Sequence, residues 1–109
     1  MFLSVMERLV LLSILPEQGN FITLKTTREL RESLSFSDEE QGMYKFQTEG
    51  QNVKWENMDE HGMPFTEKEI PIETNPRKII KEALEKLDKE EKLQQQHYSL
   101  YEKFIQGGT

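Results

Sequence analysis

The first fifteen residues, MFLSVMERLVLLSIL, contain only four polar side chains: Ser4, Glu7, Arg8 and Ser13. A helix this apolar must be covered on most sides, in the middle of a core or against another copy. A secretory leader is the competing explanation. It is disfavoured because no positive charge precedes the run, Glu7 and Arg8 interrupt it, and no small-residue cleavage site follows. The run is also shorter than the ~20 residues that cross a bilayer. A buried helix is therefore predicted over 1–15. Phe2, Met6, Leu9 and Leu12 form its stripe, and Val5, Val10, Ile14 and Leu15 widen it. Pro16 stops the helix, and Pro16-Glu17-Gln18-Gly19-Asn20 reads as a turn.

Phe21-Ile22-Thr23-Leu24 has two readings, a short strand or the first turn of the next helix. Thr26-Thr27-Arg28-Glu29 fits a capping box, which predicts a helix over about 26–34, starting as early as residue 23. Ser37-Asp38-Glu39-Glu40 fits a second box, opening a short helix that Gly42 ends. Tyr44, Phe46 and Thr48 alternate, as do Val53 and Trp55, on either side of Glu49-Gly50-Gln51. That pattern predicts a β-hairpin with one buried face. Residues 56–66 read as a loop. Glu69-Ile70-Pro71-Ile72 is at most an edge strand, because Pro71 has no N–H to donate.

Asn75-Pro76 marks the start of another helix, with Asn75 as N-cap. Its stripe is Ile79, Ile80, Ala83, Leu84 and Leu87. Its outer face spaces Lys78 and Glu82, Lys81 and Glu85, Glu82 and Lys86, and Glu85 and Lys89 one turn apart. The stripe loses phase over 88–92 and resumes through Leu93, His97, Leu100, Tyr101 and Phe104. From Leu87 to Leu93 an ideal helix turns by ~600°, which leaves the new stripe ~120° off the old one. A break and a helical hairpin are predicted; one kinked helix reaching a partner subunit is the alternative. The expected fold is thus α+β and mainly α. N-terminal helices come first, then a small antiparallel hairpin, then a C-terminal helical hairpin. It is expected as a single domain over 1–105, with helices and the small sheet in 1–74, the helical hairpin in 75–105 and a disordered tail over 106–109.

The chain of 109 residues has no cysteine, which excludes disulfides, thiolate nucleophiles and Cys-based zinc sites. A small secreted domain usually needs disulfides, so a cytoplasmic home is expected. Hydrophobic residues make up 35% and charged residues 31%, but the apolar ones are periodic, which argues for a folded chain. The net charge of −6 is unevenly spread. Residues 1–35 are balanced, 36–74 carry net −7, and 75–109 carry net +1. The acidic middle disfavours phosphate binding there.

Reactive side chains do not cluster. His61 sits in Asp59-Glu60-His61, which lacks the spacing of a metal-ligand motif. His97 falls on the last apolar stripe, where a hydrogen-bonded structural role is expected. No phosphate loop, dinucleotide fingerprint or nucleophile elbow is present, so no enzyme activity, cofactor or metal is expected.

Three readings of function remain. The first is a protein that binds other proteins or itself, with Trp55, Tyr98 and Tyr101 as contact residues, since such aromatics are enriched at interfaces. The second is a DNA-binding regulator. The element order is that of a winged helix, and Lys25, Arg28 and Arg31 share a face. Against it, the expected third helix opens Asp38-Glu39-Glu40, which phosphates would repel. The third is an acidic inhibitor acting through 36–74, with Glu56, Asp59 and Glu60 as its contacts.

Two stretches carry a family resemblance. One is Glu7-Arg8-Leu9-Val10-Leu11-Leu12 with Pro16, Gly19-Asn20-Phe21 and Thr23-Leu24. The other is Ala83-Leu84-Glu85-Lys86-Leu87-Asp88 with Tyr98-Ser99-Leu100-Tyr101-Glu102-Lys103-Phe104. Together they resemble small proteins encoded by phages and prophages of Gram-positive bacteria. The resemblance implies an intracellular accessory protein and brings no catalytic residues with it.

Overall fold

Local capping chemistry sets most of the element boundaries. The computed structural model describes residues 1–50, 52–56 and 67–106. In chain order these form β1 (Phe2–Leu3), α1 (Val5–Ile14), α2 (Phe21–Leu34), α3 (Asp38–Tyr44), β2 (Gln47–Glu49) and β3 (Asn52–Lys54). They continue as β4 (Lys68–Glu69), α4 (Thr74–Lys89), a 3-10 turn (Gln95–His97), α5 (Tyr98–Tyr101) and a π turn (Glu102–Gln106). The class is the expected mainly helical α+β with small antiparallel sheets. The chain divides into two compact units, Met1–Ser35 with Lys68–Thr109, and Phe36–Glu67.

In the first unit, Ser4 and Glu7 decide where α1 begins. The Ser4 hydroxyl accepts from the Glu7 N–H at 3.1 Å, and Glu7 Oε1 accepts from the Ser4 N–H at 2.9 Å. This capping box satisfies two donors at the helix start and leaves the preceding residues extended. Phe2 then lies opposite Glu69 and Leu3 opposite Lys68 in an antiparallel pair. Ile70 N–H donates to the Met1 carbonyl at 2.8 Å, and the Met1 amine donates to the Ile70 carbonyl at 3.0 Å. A strand therefore replaces the first turn of the helix expected over 1–15. Its partner ends before Pro71, which stays outside the ladder.

The buried face of α1 also differs from the expected stripe. Val10 and Leu11 are buried together with Glu7 and Arg8, whereas Phe2 is 55% and Met6 46% exposed. The expected stripe did not include the two charged residues. Glu7 Oε1 and the Arg8 guanidinium find partners inside, which lets both charged side chains be buried beside Val10 and Leu11. Pro16 follows the helix end as expected, with Leu15 extended at the C-cap.

For α2 the N-cap is Asn20, whose side chain accepts from the Thr23 N–H at 2.8 Å. Phe21-Ile22-Thr23-Leu24 therefore takes its helical reading, and Thr26 and Thr27 are not a start but lie inside the helix. Thr27, Leu30 and Leu34 face the core. Helix α4 starts at Thr74 after Glu73, so Asn75 is not its N-cap and Pro76 lies within the first turn. Proline is tolerated there because first-turn N–H groups have no intrahelical acceptor. Ile80 and Leu84 are fully buried on the expected stripe. Among the described residues the four outer charge pairs of α4 do not close into ion pairs.

The predicted break is present. Glu91 N–H donates to the Asp88 carbonyl at 3.0 Å, Lys92 N–H donates to the Leu87 carbonyl at 2.8 Å, and Glu91 sits at φ 58°. That is a Schellman ending with a glutamate in the left-handed position glycine usually takes. The second arm of the hairpin passes through 3-10, α and π geometry and buries His97, Leu100 and Phe104. One cluster joins Leu3, Leu11, Leu34, Ile70, Ile80, Leu84, Leu100 and their neighbours. No helix among the described residues is long and apolar enough to cross a membrane.

The second unit begins with the expected capping box. Ser37 Oγ accepts from the Glu40 N–H and Glu40 Oε1 from the Ser37 N–H, both at 3.1 Å. Gly42 does not end α3. The helix runs to Tyr44 and stops at Lys45, which is left-handed at φ 52° and donates to the Gln41 carbonyl. Tyr44 is therefore buried from a helix, not from a strand. The predicted hairpin forms, with Gln47 opposite Lys54 and Thr48 opposite Val53, and Gly50 at φ 62° opens its turn. Its expected buried face is absent, since Thr48 and Val53 are exposed. The aromatic residues pack beyond the strands instead. Phe36 and Phe46 lie 4.8 Å apart between ring centroids, Tyr44 and Phe46 5.8 Å, and Phe46 and Trp55 6.4 Å. The Glu56 N–H closes this base on the Tyr44 carbonyl at 2.7 Å.

The winged-helix order is not met. That order needs a strand between the first two helices, but residues 21–24 are helical. Among the described residues β2 and β3 pair only with each other, and β1 pairs with β4. The expected loop residues Asn57, Asp59, Glu60, His61, Gly62 and Pro64 lie outside the described residues, as do 107–109 of the tail expected over 106–109, whereas Gln106 belongs to the π turn.

Candidate functional site

The buried charges of the first unit are the first place to look for chemistry. Glu7 is buried, and its Oε1 meets Lys103 Nζ at 2.8 Å, while Nζ also donates to the Phe2 carbonyl at 2.9 Å. Burial alone would raise the Glu7 pKa. Hydrogen bonds from Lys103, Ser4 and Ser99 and the charge of Lys103 outweigh it, and the carboxyl stays below its ordinary value. Ser99 is near enough to favour the charged form, although Oε2 has no partner in hydrogen-bond geometry among the described residues. The pair ties the start of α1 to the π turn.

Arg8 is buried beside it. Its Nε donates to the Leu34 carbonyl at 3.1 Å and an Nη to the Ser35 carbonyl at 2.7 Å. The guanidinium thus caps the C-terminus of α2, where carbonyls lack intrahelical donors and the dipole favours a cation. His97 is buried, and its Nδ1 accepts from the Gln94 N–H at 2.9 Å. Burial pushes its pKa below the usual histidine value, so the ring is held neutral. The structural role expected for His97 is the one it has. Each of these buried polar groups is engaged in holding elements together. No group of three metal-ligating side chains is arranged to hold an ion among the described residues.

The residues singled out from sequence fall in different places. Lys25, Arg28 and Arg31 all project from α2, the first two exposed and the third half-buried. Tyr98 is 65% exposed. Tyr101 is half-buried, its hydroxyl donating to Asp88 Oδ2 at 3.1 Å, and that bond raises the phenol pKa. Tyr98 and Tyr101 line one hollow of about 410 Å³ with His97 and Asp88. Trp55 belongs to the second unit, half-buried against Phe46.

The sequence reading missed the most exposed apolar residues. Phe21 is 76% and Ile22 67% exposed, and Leu24 is also exposed. Their exposure depends on which face α2 turns to the core: with Thr27, Leu30 and Leu34 inward, residues 21, 22 and 24 fall off the buried stripe. Close to the start of α2 runs a groove of about 510 Å³. Ile14, Pro16, Ile79, Ala83 and Leu87 form its apolar lining, with Glu82, Lys86, Glu90 and Lys92 as the charged part. This arrangement can hold an apolar segment of another chain; it brings no nucleophile and base together. No protein-family model, curated protein or solved structure matches the chain.

Proposed function

We propose that this chain is a non-enzymatic protein that works by binding another protein or itself, as an accessory or assembly factor of a phage in its host's cytoplasm. The observation that carries the reading is the exposure of Phe21, Ile22 and Leu24 on the first turn of α2, beside an apolar groove. Apolar side chains grouped on a surface cost solubility and mark contact sites. The buried charges of the first unit have structural partners, which favours a role in holding the fold over a role in chemistry. The phage assignment rests on the sequence resemblance alone, and the cytoplasmic one on that resemblance and the lack of cysteine.

The test is light scattering of the purified chain combined with affinity capture from a Gram-positive host lysate. Wild type is compared with a Phe21→Ser, Ile22→Ser double variant. A stoichiometric partner or a dimer that the double variant loses supports the reading. A strict monomer that captures nothing, or captures equally with both chains, removes it.

A second reading, a DNA-binding regulator, draws support from Lys25, Arg28 and Arg31, which make no ion pair with any described residue. A gel shift at about 50 mM salt tests it, because backbone-driven binding is strongest at low salt.

A further inference from the structure

Helix α2 carries two faces. Thr27, Leu30 and Leu34 face the core, and Phe21, Leu24, Lys25 and Arg28 follow one another at i, i+3, i+4 and i+7 on the other side. Phe21 and Leu24 are exposed, as are Lys25 and Arg28, and half-buried Arg31 extends the row to ~15 Å. None of the three cations closes an ion pair or side-chain hydrogen bond with a described residue. Glu29 and Glu32, one turn beyond Lys25 and Arg28, are exposed and make none either. In a chain of net charge −6, this is a helix face on which two large apolar side chains are followed by three cations, with Glu29 and Glu32 beside them and no described partner for the charges.

We infer that the outer face of α2 binds an acidic amphipathic segment of a partner protein, one whose apolar residues cover Phe21 and Leu24 while its carboxylates meet Lys25, Arg28 and Arg31. The inference rests on the interaction reading above and names the chemistry of its partner. Charge complementarity selects the occupant. A carboxylate segment matches three local cations over one helix length, within the ~8 Å range of charge interactions at physiological salt. A nucleic acid or an anionic membrane is a much larger field of negative charge, which a chain of net charge −6 repels more strongly than it repels a short acidic segment. Phosphates also leave Phe21 and Leu24 uncovered, whereas a helix laid along α2 buries them as paired apolar stripes do.

The experiment uses the full chain and synthetic helical peptides with a leucine stripe flanked by glutamates, plus a copy with lysines in place of the glutamates. Binding is read by fluorescence anisotropy of the labelled peptide. The acidic peptide is expected to bind and the basic one not. Lys25→Glu with Arg28→Glu should weaken the acidic peptide at least about tenfold and confer binding of the basic one. Phe21→Ser should weaken the acidic peptide without conferring binding of the basic one. These positions are on the surface, and circular dichroism checks that the variants fold. No binding of the acidic peptide, or binding that charge reversal leaves unchanged, overturns the inference. So does tighter binding of duplex DNA or of phosphatidylserine vesicles through the same residues. If the peptides fail while lysate capture is still lost in the Phe21→Ser, Ile22→Ser double variant, the interaction reading survives and this inference falls. If both fail, both are gone.

Discussion

In the first unit, Leu3, Leu11, Leu34, Ile80, Leu84 and Leu100 are almost wholly removed from water, and Glu7, Arg8 and His97 are buried among them with partners. In the second, Phe36, Tyr44, Phe46 and Trp55 meet edge to face or tilted at the base of a hairpin whose Thr48 and Val53 are exposed. The first unit has several helices that can interlock aliphatic stripes. Among its described residues the second has one seven-residue helix and a two-stranded ribbon, which offer too little surface for a layered core. A few large rings do there what the buried aliphatic residues do in the first.

The contrast can be broken most directly by removing one core residue from each unit. Leu84→Ala should cost about 2–5 kcal/mol, the usual range for a fully buried leucine. Phe46→Ala should cost less, about 1–2 kcal/mol, because Phe46 is only half-buried. Trp55 is the only tryptophan and lies in the second unit, so its emission follows that unit, while far-UV circular dichroism follows the helices of the first. Denaturant unfolding by both probes should show Leu84→Ala acting mainly on the dichroism and Phe46→Ala mainly on the emission. Equal shifts in both signals would mean that the units unfold as one.

Buried charge is the next point of difference. Lys103→Met leaves Glu7 buried without its cation and should cost about 2 kcal/mol, discounted because the Lys103 side chain is 29% exposed. The same contacts set the acid response. Glu7 ionises more readily in the folded chain, so its contribution is present above its unfolded value of ~4.3 and fades as pH falls through the lower folded value. His97 is held neutral, so below its unfolded value of ~6.5 the unfolded chain takes up a proton that the folded chain resists. Stability should therefore fall in two stages on acidification, His97 first and Glu7 second. His97→Gln should remove the upper stage and leave the lower one, as read by thermal melts across pH.

Two gains complete the series. Thr27 is buried with its hydroxyl unpartnered among the described residues, and Thr27→Val should stabilise the first unit by about 1 kcal/mol. Glu91 and Lys45 both end helices in the left-handed region, one in each unit, and either to glycine should add about 0.5–1 kcal/mol. Glu91→Gly should raise the dichroism midpoint and Lys45→Gly the Trp55 emission midpoint. A loss of stability at either site would mean that the side chain does more than tolerate the turn.

Several of these features were readable from residues alone. The Ser37–Glu40 box, the stop at Pro16, the α4 stripe and the break after Leu87 each depend on neighbours within one or two turns, and each is found. The Gly50 hairpin is equally local. Errors gathered where a local rule had two equally good places to act. The expected helix over 1–15 starts before the real cap Ser4, and the one over 26–34 starts after the real cap Asn20, although Ser4-x-x-Glu7 has the spacing of a capping box. For the candidate site, the cationic row on α2 was legible from its spacing. The exposure of Phe21, Ile22 and Leu24 was not, because it depends on which face α2 turns to the core.

The order of amino acids was enough to determine the mainly helical class, the hairpin and the reversal near residue 90, since these follow from periodicity and turn chemistry over short stretches. Only the tertiary structure decided that Glu7 and Arg8 go inside while Phe2, Met6 and Phe21 stay out. A charged side chain can be buried when distant groups satisfy it. For Glu7 that group is Lys103, and for Arg8 it is the carbonyls of Leu34 and Ser35, brought near only when the chain folds.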